Sequence, residues 1–189
     1  MPLITQLEQL APARVATALG VVQFRRACSP GYDGPVTHVL LHGIGSASAS
    51  WLAQLLHVRL HRSPPCHLLA WDAPGYGGSD ALPMERPDAG DYAARLWAWL
   101  DAPDVAVRAP VTLVGHSLGA LMAARAAVHS PARVVRLVLL APAGGYARAS
   151  AEVREQKLAD RLANLARLGP AGMAQHRAGA MLSANASQP

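Results

Sequence analysis

One serine in this chain stands where a hydroxyl can act as a nucleophile. It is Ser117, in the run Gly115-His116-Ser117-Leu118-Gly119. A hydroxyl needs a base to take its proton, and the reaction needs somewhere to put the negative charge that develops on the substrate. The Gly-x-Ser-x-Gly spacing answers the second need. A chain that turns from strand to helix within a couple of residues strains its central residue and lifts that side chain above the sheet. Gly115 and Gly119, without Cβ, let strand and helix close in on either side. The helix that begins at Leu118 aims unpaired N–H groups at the same point, where an oxyanion would be stabilised.

The flanking residues are of the types that build such a turn. Val111-Thr112-Leu113-Val114 reads as a buried strand. Leu118 to Val128 is an Ala-rich helical run stopped by Ser130-Pro131. Upstream, Arg14–Gly20 and Val21–Ala27 predict two short strands joined near Gly20, after a weakly specified lead-in over residues 1–13. Thr37–Leu41 predicts a third strand, delivered into His42-Gly43-Ile44-Gly45-Ser46, and a helix follows with Trp51, Leu52, Leu55, Leu56 and Leu60 on it and Ser50 as its N-cap. His67–Trp71 predicts the next strand, ending in Asp72-Ala73-Pro74-Gly75-Tyr76-Gly77-Gly78-Ser79. Tyr92, Leu96 and Leu100 mark one face of a helix over roughly 89–101, led in by Asp88 and Asp91. Val134–Leu140 predicts a last strand. Apolar strands alternating with helices indicate an α/β fold with a mostly parallel sheet covered on both faces. From Ser150 the pattern is helical, with Leu158, Leu162 and Leu165 on one face, a stop at Gly169-Pro170 and a shorter piece carrying Met173 and Met181.

Composition narrows the function classes. The 189 residues are 51% hydrophobic and 15% charged, which suits one globular domain. The net charge of +5 comes from scattered arginines, with Arg25-Arg26 the adjacent pair, and no basic run or aromatic-interleaved patch points to nucleic acid. Cys28 and Cys66 have neither metal nor redox spacing, and a reducing cytoplasm is the expected setting. No signal peptide and no membrane span are expected. No His/Asp/Glu cluster has ligand spacing and the glycines do not form a dinucleotide fingerprint, so neither metal nor cofactor is predicted.

Taken together, His42-Gly43-Ile44-Gly45, Asp72-x-x-Gly75-x-Gly77-x-Ser79 and Gly115-His116-Ser117-Leu118-Gly119 resemble the α/β-hydrolase family in kind, order and placement at strand ends. Within it the chain is most similar to the enol-lactonase and meta-cleavage-product hydrolase branch, over roughly residues 14–183. The resemblance implies a three-layer α/β/α core over 14–149 and the beginning of a helical cap over 150–183. It implies that Ser117 is the nucleophile, that the backbone N–H groups of Ile44 and Leu118 form the oxyanion hole, and that the substrate is a small carbonyl compound such as an ester or lactone. Asp72 then belongs to the structural floor of the site rather than serving as the catalytic acid.

The family order is Ser, then Asp or Glu, then His, the last two on loops after further strands. No strand follows Ser150 to carry them. Of the histidines only His176 comes after Ser117 in a suitable order, on a cap-like segment without a carboxylate partner, and the position after the last strand reads Ala141-Pro142-Ala143-Gly144-Gly145. The expectation is therefore a serine hydrolase lacking its C-terminal part, with Val134–Leu140 left as an exposed sheet edge through which copies could associate. An inactive hydrolase-like binding protein is the alternative from a different class, and an acyltransferase or cofactor-free haloperoxidase would use the same scaffold.

Overall fold

The computed structural model describes residues 3–144, 146 and 148–180. They divide into two compact units, Met1–Ala143 and Gly144–Pro189. The first contains a six-stranded sheet in the order β1-β2-β4-β3-β5-β6. Its strands are β1 (Ala13–Thr17), β2 (Gly20–Cys28), β3 (His38–Leu41), β4 (His67–Trp71), β5 (Val111–His116) and β6 (Val134–Leu140). From β4 through β3 and β5 to β6 every pairing is parallel, while β1 and β2 form a hairpin joined antiparallel to β4. The predicted mostly parallel α/β sheet is what the chain forms.

Side chains alternate across the strands, so the central strands β3 and β4 feed two cores. Val39, Leu41, Leu69, Trp71 and Leu113 face one way, packing with Leu96, Trp99 and Leu100 of α3 (Ala89–Asp101) and Met122, Ala123 and Ala126 of α4 (Leu118–His129). Leu40, Leu68 and Ala70 face the other, against Leu52, Leu55 and Val58 of α2 (Leu52–Leu60). Fully burying one such large apolar side chain contributes roughly 1.5–3 kcal/mol. The α3 start follows its sequence signal: Asp88 accepts from the Gly90 and Asp91 N–H groups while Asp91 accepts from the Asp88 N–H, a reciprocal capping box.

Two expectations need correcting. The lead-in over residues 1–13, read as weakly specified, contains a short helix, α1 (Leu3–Glu8), beyond which Leu10 is buried in the α2-side core. A burial of this kind leaves little trace in a six-residue window. Ser50 does not cap α2. A 3-10 turn over Ser48–Trp51 precedes the helix, and the Ser50 hydroxyl donates to the Ala47 carbonyl. The free N–H at the start of that turn, on Ser48, is taken by the Asp72 carboxylate at 2.7 Å, so a distant side chain does the work expected of a local serine. The predicted strand Val134–Leu140 forms as β6, and among the described residues it pairs with β5 on one side.

In the second unit α5 runs Ala151–Ala180 and breaks at Gly169 (φ 62°, ψ 174°) ahead of Pro170, at the predicted stop. Met173 lies in the segment after the break, whereas Met181 and the end of the expected cap at residue 183 lie outside the described residues. Among the described residues no helix is long and apolar enough to cross a membrane.

Candidate active site

Strands β3, β4 and β5 run parallel, so their carboxyl ends reach the same rim of the sheet, where α/β folds gather their ligand-binding loops. Three loops meet there: 42–47 after β3, 72–80 after β4, and the turn at Ser117 after β5.

Ser117 separates the last residue of β5 from the first of α4, with φ 53° and ψ −113°. That is left-handed backbone which a residue bearing a Cβ adopts only when its surroundings hold it there. The surroundings are on both sides of the turn. The Ser117 N–H donates to the Leu140 carbonyl at 3.0 Å, and its own carbonyl accepts from the Ala120 and Ala143 N–H groups at 3.1 and 3.2 Å. A Cβ on Gly115 would run into the Gly119 backbone, and one on Gly119 would run into the carbonyls of Leu41 and His42. Both glycines are there because backbone occupies the space a side chain would need. The spacing in the sequence and the steric demand of the turn agree.

Leu118 is the first residue of α4, and its N–H belongs to the group at the helix start that no carbonyl of the helix can accept. Ile44 lies in the loop after β3. The preceding residue, Gly43, is packed against Ser117, since a Cβ built on it would stand 3.1 Å from both the Ser117 Cβ and the His116 Nδ1. The structure thus brings the Ile44 loop and the Ser117 turn together, as the motifs imply. Chemically, a hydroxyl flanked by a helix start and a second backbone loop can attack a carbonyl carbon while N–H groups receive the resulting oxyanion.

The loop carrying Ile44 is held by a residue whose part the sequence does not reveal. Buried His42 approaches the Gly43 carbonyl through Nδ1 at 2.8 Å, and its Nε2 accepts the Ala73 N–H at 3.0 Å. The second contact needs a lone pair on Nε2, so Nδ1 carries the proton and donates to Gly43. Burial holds the His42 imidazole below its ordinary pKa, against the opposing pull of the Gly43 hydrogen bond and the Asp72 charge. The Gly43 carbonyl and the Ile44 N–H belong to one planar peptide and point in opposite directions. By fixing the carbonyl, neutral His42 also fixes where that N–H points. Tyr76 packs edge-on against the imidazole with ring centres 5.0 Å apart.

Asp72 is structural, as expected. It is 1% exposed, accepts from the Ser48 N–H and from the Gln23 amide at 2.6 Å, and offers its backbone carbonyl to the Ser79 hydroxyl at 2.6 Å. Ser79 in turn accepts the Gln23 N–H at 2.9 Å. Gly77, at φ 53°, lies so close that a Cβ would overlap the Asp72 carboxylate. The Asp-x-x-Gly-x-Gly-x-Ser spacing therefore encodes a loop wrapped around one carboxylate and locked to β2.

Among the described residues of the first unit, no side chain hydrogen-bonds the Ser117 hydroxyl. His116 is exposed beside the turn, His42 is committed to the loop contacts above, and His129 lies at the far end of α4, facing Ser130. Among the described residues no group of three or more His, Cys, Asp or Glu side chains could hold a metal ion.

Comparison with known proteins gives the same architecture. The alpha/beta hydrolase family profile matches residues 39–187. The (E)-2-((N-methylformamido)methylene)succinate hydrolase of Acinetobacter baylyi is 32% identical over 104 residues, covering 54% of this chain and 36% of that protein. RutD of Escherichia coli, named provisionally as a carbamate hydrolase, is 30% identical over 151 residues, covering 77% of this chain and 50% of that protein. Among solved structures, epoxide hydrolase A of Mycobacterium thermoresistibile superposes with a TM-score of 0.58 at 29% identity, covering 69% of this chain and 38% of the other. The chain spans about a third to a half of the length of the curated relatives it matches.

Proposed function

This chain belongs to the alpha/beta hydrolase family, and from that premise we propose that it carries the nucleophile half of a serine hydrolase acting on an ester, lactone or related carbonyl compound. In this reading the Ser117 oxygen bonds to the carbonyl carbon, the hydroxyl proton passes to a histidine, and the N–H groups of Leu118 and Ile44 stabilise the oxyanion. The histidine and its carboxylate come from sequence outside these 189 residues. The observation that carries the reading is the Ser117 turn itself, strained at φ 53° and packed against the Gly43–Ile44 loop. The relatives support hydrolysis as the class of reaction, and their printed names span different scissile groups, so the substrate is proposed only as a carbonyl compound. A cytoplasmic setting goes with this proposal and suits two cysteines that stand free.

The lack of a base near Ser117 among the described residues favours a second reading, in which the chain is a catalytically inactive member that binds a small molecule. Extending the coding sequence past Pro189 and assaying the longest product on p-nitrophenyl esters and lactones separates the two. The hydrolase reading expects activity that Ser117→Ala lowers at least about a thousandfold, in line with loss of a nucleophile. An inactive extended chain favours the binding protein, and activity indifferent to Ser117→Ala removes Ser117 as the nucleophile.

A further inference from the structure

Each N–H group that would receive the oxyanion shares a planar peptide with a carbonyl, so whatever fixes the carbonyl aims the N–H. For Ile44 that carbonyl belongs to Gly43 and is held by His42. For Leu118 it belongs to Ser117, and two N–H groups hold it. One comes from Ala120, a turn along α4, at 3.1 Å. The other comes from Ala143, beyond the end of β6, at 3.2 Å. Among the described residues the Leu118 N–H itself has no acceptor, which leaves it open to a ligand.

Residues 140–143 meet Ser117 twice. The Leu140 carbonyl accepts the Ser117 N–H at 3.0 Å, and the Ala143 N–H returns to the Ser117 carbonyl. An extended residue 143 would lie roughly 10 Å past Leu140. The chain reverses instead at Ala141, whose φ of 41° is left-handed backbone that a Cβ disfavours. Pro142 has no N–H and cannot replace Ala143 as the donor. Ser117 and residues 140–143 all lie in the first unit.

We propose that Ala143 is a positioning residue: its backbone N–H, delivered by the reversal at Ala141, aims the Leu118 N–H at the oxyanion. This rests on the reading of Ser117 as the nucleophile and gives each donor its own brace, His42 for Ile44 and the strap over residues 140–143 for Leu118. With both peptide groups beside the Ser117 Cα bonded, the strap also holds the backbone angles that present the hydroxyl.

The amide resonances of Leu118 and Ile44 in the isotope-labelled 189-residue chain, together with the rate of fluorophosphonate labelling, test this. Ala143→Pro removes the N–H, and Ala141→Val puts a β-branched side chain at φ 41°. Each is expected to move the Leu118 resonance and leave that of Ile44 in place. Each should also slow labelling, per folded molecule, by at least about tenfold, part of the roughly hundredfold or more that one oxyanion donor supplies. Ala141→Gly adopts the same φ freely and keeps the parent resonances and rate. Urea midpoints and far-UV circular dichroism give the folded fraction, so a strap that only stabilises the fold would leave the rate per folded molecule unchanged. That result, a Leu118 resonance unmoved by Ala143→Pro, Ile44 and Leu118 shifting together, or Ala141→Gly behaving like Ala141→Val would overturn the proposal. Absence of labelling in the parent and every variant would count against the nucleophile reading instead, and the Leu118 resonance alone would then decide the role of the strap.

Discussion

β5 has a neighbour on each side and buries Val111, Thr112 and Leu113, whereas β6, paired with it over the same length, has one neighbour and leaves Val135, Leu137, Leu139 and Leu140 open. In sequence β6 is the more apolar of the two, VVRLVLL against VTLVGH. What separates them is what their neighbours supply. Around the carboxyl end of β5 the contacts are made by nearby loops: Gly43 against Ser117, His42 onto Gly43 and Ala73, Asp72 onto Ser48 and Gln23. Those partners lie in β2 and in the segments that follow β3 and β4. The Ser117 turn is thus held by several contacts within the first unit, while among the described residues β6 pairs on one side only.

Substitutions on the two sides should differ sharply. The largest effect is expected from Gly119→Val, whose side chain meets the Leu41 and His42 carbonyls, atoms that cannot move aside. A loss of more than about 3 kcal/mol, seen as loss of a cooperative urea transition, is predicted. Next comes a matched pair. Leu113→Ala, fully buried on β5, should cost about 3 kcal/mol in urea unfolding, and Leu139→Ala on β6, measured in dilute solution, under about 1 kcal/mol. Equal costs would break the comparison. Asp72→Ala, which strips the Ser48 N–H and the Gln23 amide of their acceptor, should cost about 2 kcal/mol and shift the Ser48 and Ser79 amide resonances more than any in β6.

The smallest effect is one of pH. His38, His42 and His67 all have pKa values lowered chiefly by burial. The unfolded chain, with imidazoles titrating near about 6.5, binds more protons than the folded one once the pH falls below that value. Stability should therefore drop as pH falls through that range and level off below the folded pKa values. His42→Gln, an uncharged substitute, should flatten part of the slope in thermal melts across pH 5–8, a range chosen to bracket the imidazole value of about 6.5. A slope unchanged by that substitution would remove His42 from the account.

Much of this was legible in the residues, and the rest was not for identifiable reasons. The Ser117 turn, the helix start at Asp88 and the loop from Asp72 to Ser79 are local patterns of side-chain size and hydrogen bonding, so spacing alone points to them. The bond from Asp72 to Ser48 spans 24 positions, and it displaced the expected cap at Ser50. His42 reads as one more histidine in a motif, because the partner of its Nε2, the Ala73 N–H, comes within reach only once β3 and β4 lie side by side. For β6 the composition speaks of burial on both sides, and composition cannot say that a neighbour is present.

The most direct test is fluorophosphonate labelling of the 189-residue chain beside Ser117→Ala. The account predicts slow, weak labelling that Ser117→Ala removes, because the turn is built and no described side chain of the first unit hydrogen-bonds the hydroxyl. Rapid, stoichiometric labelling lost in Ser117→Ala would contradict it, placing a working base within these residues.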